Sequence, residues 1–155
     1  MLRSRTDDWF ECKIKYQKQQ EDDTQKKVTE QYAVNALSFT EAEKRIMEEM
    51  SSYISGAFEV SDIKKARYKE VVFDDADSSD KWYKVKVQYI TLDERTAKVK
   101  LSNVYYLVDA STSKVALNNM IEYLGQGMAD FKIASAVETK ILDVYEYGTN
   151  NKEEK

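Results

Sequence analysis

Two stretches of the chain repeat one another. Trp9-Phe10-Glu11-Cys12-Lys13-Ile14-Lys15-Tyr16 returns as Trp82-Tyr83-Lys84-Val85-Lys86-Val87-Gln88-Tyr89, an offset of 73 (82 − 9 = 73). Tyr32, Val34 and Ala36 return as Tyr106, Val108 and Ala110 (106 − 32 = 74), Ala42 as Ala116, and Phe58 as Phe131. Matches that keep their order and nearly keep their spacing mark an internal duplication, which constrains architecture more than any single segment does.

Each copy reads as β-β-α-β. Residues 9–16 alternate, with Phe10, Cys12, Ile14 and Tyr16 on one face and Glu11, Lys13 and Lys15 on the other, the pattern of a half-buried strand. The polar run Gln17 to Lys27 predicts a long hairpin loop, and Val28 to Ala36 the return strand. Ser38-Phe39-Thr40-Glu41 fits a capping box in which Glu41 reaches back to the Ser38 amide. Ala42, Ile46, Met50 and either Tyr53 or Ile54 then form the buried stripe of a helix that Gly56 ends. Phe58 to Phe73 predicts one long strand or two pieces, its alternation slipping near Asp62 to Ala66 as at a bulge or bend. The second copy predicts a strand over 82–91, a turn around Asp93 to Ala97 and a strand to Ala110. A helix from about Ser113 follows, with the stripe Ala116, Met120 and Leu124, and then a final strand from Phe131 to Tyr147.

The expected fold is therefore α+β: two tandem β-β-α-β repeats over residues 9–73 and 82–147, forming mainly antiparallel sheet with helices on one face. In each repeat the crossover helix puts the third strand beside the first, a spatial order of 2-1-3. An N-terminal arm (1–8), an acidic connector (74–81) and a polar tail (148–155) complete the division.

Composition narrows the chemistry. The 155 residues include no histidine and one cysteine. Ser-His-Asp and Cys-His nucleophile systems and Cys/His zinc sites are excluded, and no internal disulfide forms. Cys12, at an inward strand position, reads as a buried thiol acting as a small hydrophobe. The absence of proline fits a chain that is mostly regular structure. No apolar run approaches the ~20 residues of a membrane span, and Met1 to Asp8 lacks the apolar core of a secretory signal. The expected setting is cytoplasmic. With a net charge of −4 and a pI of about 5.1, bulk attraction to nucleic acid is absent, although a local basic face can supply one.

Three segments carry a resemblance: Tyr53-Ile54-Ser55-Gly56-Ala57-Phe58-Glu59-Val60-Ser61-Asp62-Ile63-Lys64-Lys65-Ala66, Asp80-Lys81-Trp82-Tyr83-Lys84-Val85, and Val137-Glu138-Thr139-Lys140-Ile141-Leu142-Asp143-Val144. They resemble a family of uncharacterised small proteins, a domain of unknown function, from gut Bacteroidetes and their phages. The resemblance implies a bacterial or phage origin and a cytoplasmic setting, and brings no activity, ligand or catalytic residue.

Three constellations remain. Asp74, Asp75, Asp77 and Asp80 look like hard-cation ligands, but an EF-hand frame from Asp75 puts Asp80 at the glycine position and Lys86 at the bidentate glutamate position. The cluster reads as a solvated connector, with no metal and no cofactor. Lys64, Lys65, Arg67, Tyr68 and Lys69 form a basic run suited to phosphates with an aromatic for a base to stack on, diluted by Glu59, Asp62 and Glu70. Third, Trp9, Lys13, Trp82, Lys84, Lys86, Tyr105 and Leu107 fall on the strand phase away from the helices. Tryptophans at strand starts also pack on a neighbouring element's rim. Val104 to Val108 is apolar on both phases, so its second face must be covered by the first repeat, a second copy or a partner. The reading is a non-enzymatic binding or assembly module that contacts a protein partner or itself through this face, with nucleic acid as the alternative partner and no membrane.

Overall fold

The computed structural model describes residues 2–148, which form an α+β protein. Its strands are β1 (Leu2–Thr6), β2 (Trp9–Gln19), β3 (Gln25–Asn35), β4 (Phe58–Lys65), β5 (Glu70–Asp74), β6 (Lys81–Asp93), β7 (Lys98–Ala110), β8 (Phe131–Glu138) and β9 (Ile141–Tyr145). The helices are α1 (Phe39–Tyr53) and α2 (Ser113–Leu124). One sheet has the order β1-β5-β7-β6-β8 and the other β4-β2-β3-β9.

The compact units do not follow the linear division of the sequence. One comprises residues 1–6 and 67–139, the other 7–66 and 140–155. The reason is an exchange of strands. β5, which follows β4 in sequence, pairs in parallel with β7, while β9, which follows β8, pairs in parallel with β3. Both sheets are therefore mixed. The expected N-terminal arm is strand β1, antiparallel to β5 from Leu2↔Asp74 to Thr6↔Glu70. The acidic connector is shorter than expected, because Asp74 closes β5 and Lys81 opens β6. Most of the polar tail, 149–155, lies outside the described residues.

Within the unit 7–66/140–155, Phe10, Cys12, Ile14, Tyr32 and Val34 pack against Ala42, Ile46 and Met50 of α1. Ser38 caps the helix, its Oγ accepting from the Glu41 amide at 3.1 Å. Glu41 reaches back one residue further than expected, accepting from the Leu37 amide at 2.6 Å. Ile54, in extended conformation, ends the helix; Gly56 is not its cap, and Tyr53 is exposed. In the unit 1–6/67–139, Val72, Tyr83, Val85, Val87, Tyr106 and Val108 pack against Ala116 and Met120 of α2, which Thr112 caps through the Val115 amide at 3.2 Å.

The same bulge interrupts both edge strands. Lys13 faces Asp62 and Ile14 faces Val60, leaving Ser61 extra; Lys86 faces Ser135 and Val87 faces Ile133, leaving Ala134 extra. The slip anticipated near Asp62 is thus this bulge, followed by the break between β4 and β5.

Candidate functional site

In the unit 1–6/67–139 the sheet has one face toward α2 and one away from it. Side chains alternate along a strand, so the face away from α2 takes Trp82, Lys84, Lys86, Gln88, Ile90 and Leu92 from β6. The registers add Leu107 and Tyr105 beside Lys84 and Lys86, and Val137 and Ser135 on the other side of them. Lys84, Lys86, Tyr105, Ser135, Val137 and Thr139 line an open groove of about 380 Å³. Its far wall is stiffened by Thr139, whose N–H and Oγ1 both donate to the Trp82 carbonyl, at 2.9 and 2.8 Å. Two cations sit on rings beside it: the Arg67 guanidinium lies 5.0 Å from the Tyr105 centroid, and Lys84 Nζ 5.8 Å from that of Tyr68.

The corresponding place in the other unit is built differently. There Lys13 faces Gln31 and Asp62, and Glu11 faces Lys64, whose Nζ lies 3.9 Å from Glu11 Oε1. Each charge has an opposite across the strand. In the groove, Lys86 faces Tyr105 and Ser135, and Lys84 faces Leu107 and Val137. No cross-strand neighbour of Lys86 is acidic. Lys86 thus presents its charge among hydroxyl-bearing and apolar side chains in a concave site.

The structure divides the sequence-derived candidates. Lys84, Lys86 and Tyr105 come together in the groove, and Arg67 of the basic run joins them. Trp9, Trp82 and Leu107 do not belong to a free surface, being 0%, 7% and 0% exposed. Trp82 packs edge-on to Phe73 at 5.6 Å, and Arg3 caps that ring at 4.1 Å. Leu107 is flanked in its sheet by Val71 of the inserted β5, and both are wholly buried. Trp9 is wholly buried and its indole N–H has no acceptor among the described residues. Lys13 is exposed but lies in the other unit.

The basic run is split between the units. Lys64 and Lys65 lie on β4, where Lys65 pairs with Asp8 at 3.6 Å, whereas Arg67, Tyr68 and Lys69 belong to the other unit. Tyr68, at 1% exposure, offers no ring for a base to stack on. Ser135, Val137 and Thr139 carried no signal of their own. Only the β8 register, set by the bulge at Ala134, puts them beside the lysines.

Other reactive groups have structural employment. Burial pushes the Cys12 thiol from 9.0 up to about 12, with help from Glu11 and Asp62. Burial likewise raises Tyr106, whose hydroxyl shares a hydrogen bond with Tyr89 at 2.6 Å. Asp74 organises the connector, accepting from the Ala76 amide, Ser79 Oγ and Asn119 Nδ2 at 3.0–3.1 Å. Among the described residues, no group of three or more His, Cys, Asp or Glu is placed to hold a metal ion. No helix among them is long and apolar enough to cross a membrane.

Residues 8–147 match a protein-family model described as Domain of unknown function (DUF4494). No curated protein and no solved structure matches the chain.

Proposed function

We propose that this chain, which belongs to the DUF4494 family, is a non-enzymatic binding or assembly module that takes an acidic protein segment in the groove of Lys84, Lys86 and Tyr105. The observation that carries the reading is the contrast between the units. Lys13 faces Asp62 across its strand, whereas Lys86 faces a tyrosine and a serine. Basic heads over apolar and hydroxyl side chains suit a carboxylate-bearing segment with apolar neighbours. Nucleic acid has less support, because, of the aromatics on the candidate faces, Trp9, Trp82 and Tyr68 are buried and Tyr105 is left as a stacking surface.

The absence of enzymatic chemistry belongs to the same proposal. The one thiol is buried and held protonated, and histidine is missing from the chain. We further propose that the units descend from one duplicated β-β-α-β element that exchanged its last strand. Matching orders β3-β2-β4 and β7-β6-β8, matching bulges and the sequence offset support this. The proposed setting is a bacterial or phage cytoplasm, which a free buried thiol suits.

Fluorescence anisotropy tests the function. A labelled peptide alternating glutamate and leucine binds the wild type, and Lys84→Glu with Lys86→Glu weakens it by about tenfold or more. Binding of labelled oligothymidylate in place of the peptide, with a steep salt dependence, overturns the reading in favour of nucleic acid. Binding of neither probe also overturns it.

A further inference from the structure

The β6–β7 hairpin runs past the rest of its sheet. β8 accompanies β6 only as far as Tyr89↔Phe131, and β5 accompanies β7 only over Tyr106–Val108. Beyond these points the hairpin is a two-stranded arm. On the face that carries the groove, Ile90 lies opposite Leu101 and Leu92 opposite Val99. All four are exposed, at 36%, 45%, 61% and 65% respectively.

The arm does not need these residues to fold. The β2–β3 hairpin makes the same kind of extension, from Tyr16↔Val28 to Gln19↔Gln25. At the offsets that align the repeats (90 − 17 = 73; 99 − 25 = 74), its four positions are Gln17, Gln19, Gln25 and Lys27. One arm is polar there and the other is apolar. Four contiguous apolar side chains in water, where a polar set serves the same backbone, mark a contact surface.

We infer that the occupant is a second copy of this chain, and that the two arms pack face to face and antiparallel across a twofold axis. The inference deepens the proposed function, on whose groove it rests, by naming Glu94 as the carboxylate that Lys86 meets. The two directly paired rows make a block that matches itself when turned about its centre, as an isologous interface requires. In that arrangement Leu92 and Val99 of one copy lie over Ile90 and Leu101 of the other. Glu94 of one copy then lies over Gln88 of the other, with Lys86 about 7 Å further at about 3.4 Å per residue. A flexible lysine stem covers that distance. Glu94 of each copy thus reaches Lys86 of the opposite copy. The twofold axis makes this Glu94–Lys86 pair twice. Four apolar side chains per copy fall short of the ~800 Å² per partner of a standard stable interface, so the dimer is a weak one that forms at micromolar concentrations.

Sedimentation equilibrium of the full chain up to about 200 μM tests this, a range in which a Kd of about 50 μM is read easily. The wild type is expected to dimerise. Leu92→Lys with Val99→Lys is expected to be monomeric throughout, with an unchanged circular-dichroism spectrum because both sites are exposed and a slightly lower melting temperature because the two lysines lie directly opposite. Glu94→Lys alone and Lys86→Glu alone each weaken the dimer several-fold, and the two combined restore it. A monomeric wild type at about 200 μM, or a Leu92→Lys/Val99→Lys variant that dimerises like it, overturns the inference. The same monomeric variant separates this from the function: if it still binds the acidic peptide, the groove reading stands whatever the outcome for the dimer.

Discussion

Arg45 and Asn119 hold corresponding carbonyls in the two units. Arg45 Nη1 donates to the Asn35 carbonyl at 2.6 Å, and Asn119 Nδ2 to the Asp109 carbonyl at 3.2 Å. Both pairs are separated by the same offset (119 − 45 = 74; 109 − 35 = 74). Each helix residue also meets the end of the exchanged strand segment: Arg45 stacks on Tyr147 at 4.7 Å, and Asn119 donates to Asp74 Oδ2 at 3.0 Å. Asn119→Ala removes the donor from two partly buried acceptors. Its expected cost is about 1–3 kcal/mol, read as a lower urea midpoint with unchanged slope.

Ala97 sits at φ 58, in the left-handed region, at the tip of the β6–β7 arm, where its amide donates to the Asp93 carbonyl at 2.7 Å. Glycine adopts that conformation without a Cβ penalty. Ala97→Gly is expected to stabilise the unit by up to about 1 kcal/mol, and Ala97→Val to destabilise it. Thermal melts of the two variants should move in opposite directions.

Alkaline pH should weaken the fold. Cys12 rises from 9.0 to about 12, and Tyr16 and Tyr145 from 10.0 to about 12, chiefly through burial. Groups whose folded pKa is raised contribute stability that is full below their unfolded values and is lost as pH climbs through the folded ones. The denaturation midpoint should therefore hold up to about pH 9 and fall between about 9 and 12. A midpoint that rises across that window contradicts the burial of these groups. For the same reason Cys12 should resist thiol reagents in the native protein at pH 8 and react only on unfolding.

Trp82 and Tyr105 should separate folding from binding. Trp82, packed on Phe73, is a core residue, and Trp82→Ala is expected to cost about 3–5 kcal/mol. Tyr105 lines the groove and is only partly buried. Tyr105→Ala should leave the melting temperature within a few degrees of wild type while weakening the acidic peptide.

Local patterns were legible in the chain wherever one element decides them. The stripe Ala42, Ile46 and Met50, the cap Ser38 and the alternation of residues 9–16 depend on neighbours within one turn or one strand. The strand exchange was not legible. Val71-Val72-Phe73 says strand, and nothing in it says that its sheet partner is β7, far along the chain. Phase likewise assigned Trp9, Trp82 and Leu107 to the face away from the helices; period-2 alternation names a face without saying whether it is covered. Asn119 escaped notice because asparagine within a helix reads as exposed, whereas here it is 8% exposed and fixes the connector. The end of the β2–β3 hairpin was read as a loop because Gln17 to Lys27 is polar, yet cross-strand pairing continues to Gln19↔Gln25.

The contrast between the two basic faces is most directly tested by backbone amide NMR shifts during titration with the glutamate–leucine peptide, using the Leu92→Lys/Val99→Lys variant to remove self-association. The account predicts shifts at Lys84, Lys86, Tyr105, Ser135, Val137 and Thr139, and none at Lys13, Asp62 or Lys64, where the charges are already matched. Shifts centred on Lys13 and Lys64, or spread evenly over both units, would contradict it.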